Sequence, residues 1–543
     1  MHLLHSVWYA TYDVVGMTVQ KHLRLIWVLT LLSLGAPVLW AGELVVYSKI
    51  PGRSASEHYR CRVHLQGEAR TQEAFVLQII SQPSDGKNGY FPNTENWTAS
   101  FINVEFGGAP LVVEISRISG EPITKAKVRP EAKTKPAVIK NGKVYVTIDQ
   151  PMHLSVDIDG QMEDVYTGMG YKGGPVHNML IFANPVIKDR PDPVGADVHL
   201  VEPGAKAPTN GDWRTLYFAP GVHQIGLKFP IRSGQTIYIP GDAVVHGTIH
   251  VPEDSRRTKD LRIFGYGVLS GEKIPYTGRS GISKQERAGG RALNGSASNS
   301  RFEGITFVDP SYHTIHLGGI DAKAPNIYEH LKILGWRANG DGINAFAFSR
   351  IRNCFIRTSD DSFYLGRDVH ISDTVIWNDS NGSSIRLSGA PNRGDESSSF
   401  TDIHVIYHRA YWHYWAGGRV ISFREAGPGA NIRNVLVNNV VIEDPHPAFP
   451  PFYFTMAKNS STPKKQLMEN IVIQNVLQAH PGAKGSLDQR RGKPQNTMLG
   501  LNNDNPFSNI TFKNCRYLGK VIKSFDDGNF KTNAFVRNIR FEE

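Results

Sequence analysis

Three segments between residues 335 and 389 share one design: GWRANGDGINAF (335–346), RTSDDSFYLG (357–366) and VIWNDSNGSSIRLSG (375–389). In each, a turn of Gly, Asn, Asp and Ser adjoins a short aliphatic or aromatic run, the composition of a strand bounded by breakers. Working outward, the same unit recurs irregularly, about every 20–30 residues. Upstream it appears in TIYIPGDAVVHGTIHV (236–251), LRIFGYGVLSG (261–271), SRFEGITFVDPS (300–311) and YEHLKILGWRANGDGI (328–343). Downstream it returns in FTDIHVIYH (400–408), IRNVLVNNVVIED (432–444), MENIVIQNV (468–476) and FSNITFKNCRYLG (507–519). No unit is long enough to bury its own apolar face. Stacking them buries one continuous core, the logic of a solenoid. With strands as the repeat, residues 188–543 are expected to form a right-handed parallel β-helix. Asn353, Asn438, Asn439 and Asn514 are read as stacked turn residues that tolerate the left-handed region. A second β-sandwich is the competing fold, but it would not need this repeat.

The preceding region reads differently. LVVEISR (111–117), KVYVTID (143–149) and HLSVDIDG (153–160) alternate with period two, and Asn141-Gly142 is a hairpin signal. Residues 43–187 are therefore expected to form an N-terminal β-sandwich. The Pro-rich, charged stretch KDRPDPVGADV (188–198) follows it as a linker or first cap. The chain is thus all-β in expectation.

At the start, Lys21, His22 and Arg24 precede the apolar run Leu25 to Leu34, then Pro37 and Ala41. That is the layout of a signal peptide, too short in its apolar part for a membrane span. Residues 1–41 are taken as leader, with Met17 as an alternative start, and the mature chain as secreted or periplasmic. An uncleaved anchor is the alternative.

The 543 residues carry a formal charge of +10, with 40% hydrophobic and 20% charged residues. That composition excludes disorder. The basic residues are scattered, and no nucleic-acid-binding pattern occurs. Cys61, Cys354 and Cys515 fit neither a disulfide framework nor a zinc site. Cys354 and Cys515 lie in strand-like runs and are expected to be buried. No cofactor or metal is expected, and the chain is taken as a monomer with no membrane contact once the leader is cleaved.

The chemistry lies in the acids. Asp341 precedes the adjacent pair Asp360 and Asp361 by 19 positions, about one turn of such a coil. Glycoside hydrolysis needs one protonated and one ionised carboxyl. Carboxyls brought close together push one another's pKa upward. Neighbours on a regular strand point to opposite faces, so Asp360 and Asp361 reach one site only at a bulge or a strand end.

NGDGIN, SDDSFYLG and WNDSNG resemble the catalytic rungs of β-helix glycoside hydrolases. Polygalacturonases of family 28 carry Asn-Thr-Asp, Asp-Asp, Gly-His-Gly and Arg-Ile-Lys. This chain has Asn339-Gly340-Asp341, Asp360-Asp361 and Asn381-Gly382-Ser383, with Arg350-Ile351-Arg352 upstream of the acid pair. The sequence more closely resembles glycoside hydrolase family 49, the dextranase and isopullulanase family. That resemblance implies an N-terminal β-sandwich before the β-helix and an inverting, endo-acting hydrolase of a polysaccharide such as dextran. It also implies Asp360 as general acid, with Asp341 and Asp361 holding and activating water.

The expected substrate-binding set is Trp336, Asn339, Tyr364, Trp377, Asn381 and Arg386. In it the aromatic rings would stack on sugar faces and Arg386 would hold hydroxyls or a carboxylate. The aromatic run YWHYW (411–415), Arg424, His313 and His316 are further candidates. The alternatives are another β-helix hydrolase, on pectin, an α-galactoside or a sulfated glycan; a polysaccharide lyase using Ca²⁺ or a basic side chain; and a non-catalytic carbohydrate-binding solenoid.

Overall fold

Between Lys140 and Lys143 the chain reverses through Asn141 (φ 51°) and Gly142 (φ 71°), joining strands Val138–Lys140 and Lys143–Ile148. Positive φ at both central residues matches the twist of the flanking strands. The computed structural model describes residues 42–81, 97–160, 162–167, 170–210, 212–252, 257–278, 281–379, 381–410, 418–423, 432–446, 450–456, 468–481 and 495–543. The leader, the aromatic run 411–415 and Arg424 lie outside the described residues.

Within Glu43–Glu543, one compact unit, two sheets come first. A five-stranded sheet runs in the order Gln72–Ala74, Tyr59–Leu65, Leu111–Arg117, Lys143–Ile148, Val138–Lys140. A six-stranded sheet runs Glu43–Val46, Thr98–Gly107, His177–Asn184, Met152–Ile158, Ala126–Arg129, with Leu77–Ile80 also pairing on Thr98–Gly107. Cys61, Val63, Val113 and Val144 of the first sheet pack with Ile102, Val104, Val156 and Ile181 of the second. Thr98–Gly107 is buried on both faces. Ile102, Val104 and Phe106 face the other sheet, while Ala99 and Phe101 face outward into a separate apolar cluster. That is why the strand does not alternate in burial.

From Val198 to Glu542 the chain forms one sheet of 30 strands. Its ladders are parallel, apart from the short pairing of Arg516–Tyr517 with Lys520–Val521. Side chains at equivalent positions stack inward. Ile315, Ile343, Phe363, Ile385, Ile421 and Phe452 form one such column through the core. This is the parallel β-helix expected from the repeat. Asn353, Asn439 and Asn514 adopt positive φ, as expected. Asn438 does not: it lies within the strand ladder, opposite Thr401 and Gln474. Its neighbour Asn439 makes the turn and donates to Asp402 Oδ1 at 2.6 Å. Cys61, Cys354 and Cys515 are all buried and unbridged.

The outer face of the coil is covered where it carries Leu334, Trp336, Phe355, Val375, Trp377 and Tyr407. These pack against Leu77, Ile79, Phe101, Leu180 and Phe182 of the six-stranded sheet.

Candidate active site

The inward column Ile315, Ile343, Phe363, Ile385 and Ile421 is preceded on every rung by a corner, and the corners also stack. Thr314 N donates to Asp341 O at 2.9 Å, Gly342 N to Asp361 O at 2.9 Å and Ser362 N to Ser383 O at 2.8 Å. Two positions before the inward residue, the rungs carry in turn His313, Asp341, Asp361, Ser383 and Arg419. Three positions before, they carry Tyr312, Gly340, Asp360, Gly382 and Gly418. One position after, on the outward face, stand His316, Asn344, Tyr364, Arg386 and Ser422. Asp341 and Asp361 are therefore one rung apart, about 4.8 Å along the stack.

The adjacent pair meets the strand-end condition. One strand ends at Thr358 and the next begins at Phe363, so Asp360 and Asp361 occupy the corner between them. Thr358 Oγ1 and Asn378 Nδ2 donate to Asp360 O at 2.9 and 2.7 Å and fix its peptide. Gly382 lies against this peptide: a Cβ there would stand 2.2 Å from Asp361 N and 2.7 Å from Asp360 Oδ1.

The three carboxyls are 2%, 7% and 3% exposed in chain order, so their charges interact through little water. Burial and the neighbouring Asp361 push Asp341 up to about 7, against a hydrogen bond from the Tyr364 hydroxyl. Asp360 is raised well above the carboxylate range by burial, then by Asp341 and Asp361. Its Oδ2 accepts from Asn381 Nδ2 at 2.6 Å and its Oδ1 from Asp361 N at 2.9 Å. Asp361 forms an ion pair with Arg386 and accepts from Ser383 N at 2.7 Å. Burial works against the Arg386 charge, but Asp361 and Tyr364 outweigh it and hold the guanidinium above its usual range. Its guanidinium carbon lies 5.3 Å from the centre of the Tyr364 ring. Asp341 and Asp360 thus both lean towards the protonated form, while Asp361 is held in an ion pair with Arg386. That cluster can give a proton to one atom and take one from another.

Asp341, Asp360, Asp361, Tyr364, Asn381 and Arg386 are brought together directly. Asn339 joins them at the rim, accepting from Tyr276 Oη at 3.0 Å. Trp336 and Trp377 do not join the cleft, which corrects their expected role as sugar platforms. They are 3% and 0% exposed and lie in the cluster under the six-stranded sheet. Arg357 is clamped between them, its guanidinium carbon 4.6 Å from the Trp336 ring and 3.9 Å from Trp377. Its Nε binds Asp379 Oδ2 at 3.0 Å, and Trp377 Nε1 donates to Asp379 Oδ1 at 2.7 Å. Sequence shows an aromatic residue beside a corner, but not which wall of the coil it faces.

His313 stands one rung before Asp341, with Nε2 3.6 Å from Asp341 Oδ1. Burial and Arg291 push its pKa down to about 3, so it is neutral. Tyr312 stacks on it at 4.0 Å. His316 lies on the outward face with its ring 4.2 Å from Phe346. Tyr276 has no counterpart in the sequence reading: KIPYTG (273–278) carries neither periodicity nor a motif. Among the described residues no group of three His, Cys, Asp or Glu is arranged to hold a metal.

A dextranase of Arthrobacter globiformis is 24% identical over 440 residues, 69% of this chain and 68% of that protein. A second, from Arthrobacter sp. (strain CB-8), is 24% identical over 437 residues, 68% of this chain and 67% of that protein. The solved structure of Dex49A from Penicillium minioluteum superposes with a TM-score of 0.69 at 16% identity, covering 92% of this chain and 96% of that one. The chain is similar to these two dextranases in sequence and to Dex49A in fold. The resemblance to glycoside hydrolase family 49 drawn from the motifs agrees with both the sequence relatives and the fold. No family model matches the chain.

Proposed function

We propose that the chain is an inverting, endo-acting glycoside hydrolase that cuts a dextran-like α-glucan in the space before Asp341, Asp360 and Asp361. The observation that carries this reading is three buried carboxyls on neighbouring corners, one raised well above its ordinary range and another held in an ion pair by Arg386. Asp360, raised well above its ordinary range, donates its proton to the glycosidic oxygen as the C–O bond breaks. Asp361, paired with Arg386, and Asp341, bonded by Tyr364, hold a water on the opposite face of the sugar. As that water attacks C1, one of the two takes its proton, leaving a hemiacetal of inverted configuration and a free hydroxyl on the leaving sugar. No metal or cofactor enters these steps. The aglycone and glycone sugars lie along the outward column that Tyr364 and Arg386 share.

The arrangement of residues 43–187 as a sandwich domain and 188–543 as the catalytic β-helix domain belongs to this proposal. So do export of a monomeric chain behind the leader 1–41 and work outside the cytoplasm.

The test is product release by the full chain from dextran, pullulan, polygalacturonate, galactans and carrageenans, beside Asp360→Asn. The expected result is isomalto-oligosaccharides of mixed length from dextran, with the opposite anomer visible first by proton NMR and no release by the variant. Retention of configuration, or release from dextran by Asp360→Asn at the parent rate, would refute the mechanism. Release from another polymer alone would move the substrate.

A further inference from the structure

In the stretch GWRAN (335–339), Arg337 and Asn339 send their polar groups away from the coil. Arg337 is buried and sends Nη1 to Ile274 O at 2.7 Å and Gly271 O at 3.3 Å, while its Nε faces Asp309 Oδ2 at 3.3 Å. Two residues on, Asn339 turns at φ 53° and accepts from Tyr276 Oη. Both residues thus grip one strap that leaves the coil after Ser270, ahead of the catalytic rungs. Ser311 grips it again: Thr277 N donates to Ser311 Oγ at 3.1 Å and Ser311 Oγ to Pro275 O at 2.5 Å. From the far side, Arg53, in the loop after the first strand, pairs with Glu272 at 3.0 Å. Four anchors on a segment this short, with no core of its own, fix one side chain: Tyr276.

We propose that Tyr276 is a substrate-binding residue. Its ring, on the strap that leads into the Leu293 rung, forms a wall of the cleft beside Asn339 and stacks on the glucosyl unit next to the scissile bond. Arg337, Asn339 and Arg53 act as positioning residues for it. Burial raises the hydroxyl's pKa, and the nearby acid cluster of Asp360 and Asp341 adds to that rise. The hydroxyl donates to Asn339 Oδ1 at 3.0 Å, which fixes the ring by its edge and leaves its face for an apolar sugar surface. Residues 47–58, ahead of the coil in sequence, thereby reach the active site through Glu272.

This inference rests on the α-glucan reading, and the experiment separates the two. Initial rates of the full chain on a dextran series give kcat and KM for the parent, Tyr276→Ala, Tyr276→Phe and Arg53→Ala. A ring contact made equally in the ground and transition states raises KM and leaves kcat in place. Stacking of this kind predicts a KM about 5–10-fold higher for Tyr276→Ala. Tyr276→Phe keeps the ring but frees it from Asn339, and a smaller KM rise of about 2–3-fold is expected. Arg53→Ala raises KM in the same direction through a looser strap, and the double variant with Tyr276→Ala adds nothing further, because both act through one ring. An unchanged KM in Tyr276→Ala, or a fall in kcat alone, overturns the inference while leaving the hydrolase in place. A parent chain inactive on dextran overturns the function itself. Should Tyr276→Ala fail to fold, Tyr276→Phe and Arg53→Ala decide it, since an unchanged KM in both overturns the proposal.

Discussion

Gly382→Ala is the sharpest perturbation of the acid pair, because it touches no carboxyl chemically. Gly382 has φ 75°, a conformation that costs an L-residue about 1–2 kcal/mol. Its new Cβ would stand 2.2 Å from Asp361 N and 2.5 Å from Asp360 C, well inside contact distance of main chain. Overpacking of that kind typically costs about 1–3 kcal/mol. The combined destabilisation is about 2–5 kcal/mol, spread over one corner of a long ladder, so the coil should still form. Relief comes only if the Asp360–Asp361 peptide moves by something near 1 Å, and a misplacement of about 1 Å can cost on the order of 10²-fold in rate. Kinetics on dextran should show kcat reduced about 10²-fold, with thermal unfolding shifted down but still cooperative. Activity within about threefold of the parent, less than 1 kcal/mol of barrier, would refute the reasoning and mean that this corner does not place the acids.

Asp360→Asn should lower kcat by at least about 10²-fold while oligosaccharide binding and the unfolding midpoint persist, measured by single-turnover rates and calorimetry. Tyr364→Phe removes the donor that holds Asp341 down against burial and Asp361, so the acidic limb of the kcat profile should move to higher pH. An unmoved limb would remove Tyr364 from that role. Asp341 is raised from an ordinary 3.8 to about 7, so its contribution to stability is full below about pH 4 and is lost as pH rises through 7. Asp341→Asn should therefore gain stability over the parent at pH 8 and not at pH 4, with a ceiling of about 4 kcal/mol at 1.36 kcal/mol per pH unit. Trp377→Ala should cost about 3–5 kcal/mol of stability, through the cavity beside Arg357, and leave KM for dextran in place.

The coil was legible because a short strand cannot bury itself, so a repeat of polar turn and aliphatic run has few solutions other than stacking. Leu111–Arg117 and the Asn141-Gly142 hairpin stand where period and turn chemistry put them. The acid trio was legible because its 19- and 20-residue intervals span about one rung, Ile343 pairing with Phe363. Trp336 and Trp377 were misread because a corner aromatic can face either the cleft or the covered outer wall, and only the docked sheet decides. Asn438 was misread because two adjacent asparagines share one turn and the register picks the second. Tyr276 was invisible because a strap held by arginine contacts to main-chain carbonyls leaves no pattern in residue types.

The Trp336–Arg357–Trp377 stack has a consequence for divisibility. A guanidinium with no solvent exposure, two indoles and the aliphatic wall around them are sheltered by a sheet belonging to the first 184 residues. A gene fragment beginning at residue 188 would encode every acid of the cleft, yet expose that wall, with the Arg357–Asp379 ion pair at its centre, to water and to other copies. The catalytic coil is therefore not a portable module. Changes on either side of the seam between that sheet and the coil are constrained by the other.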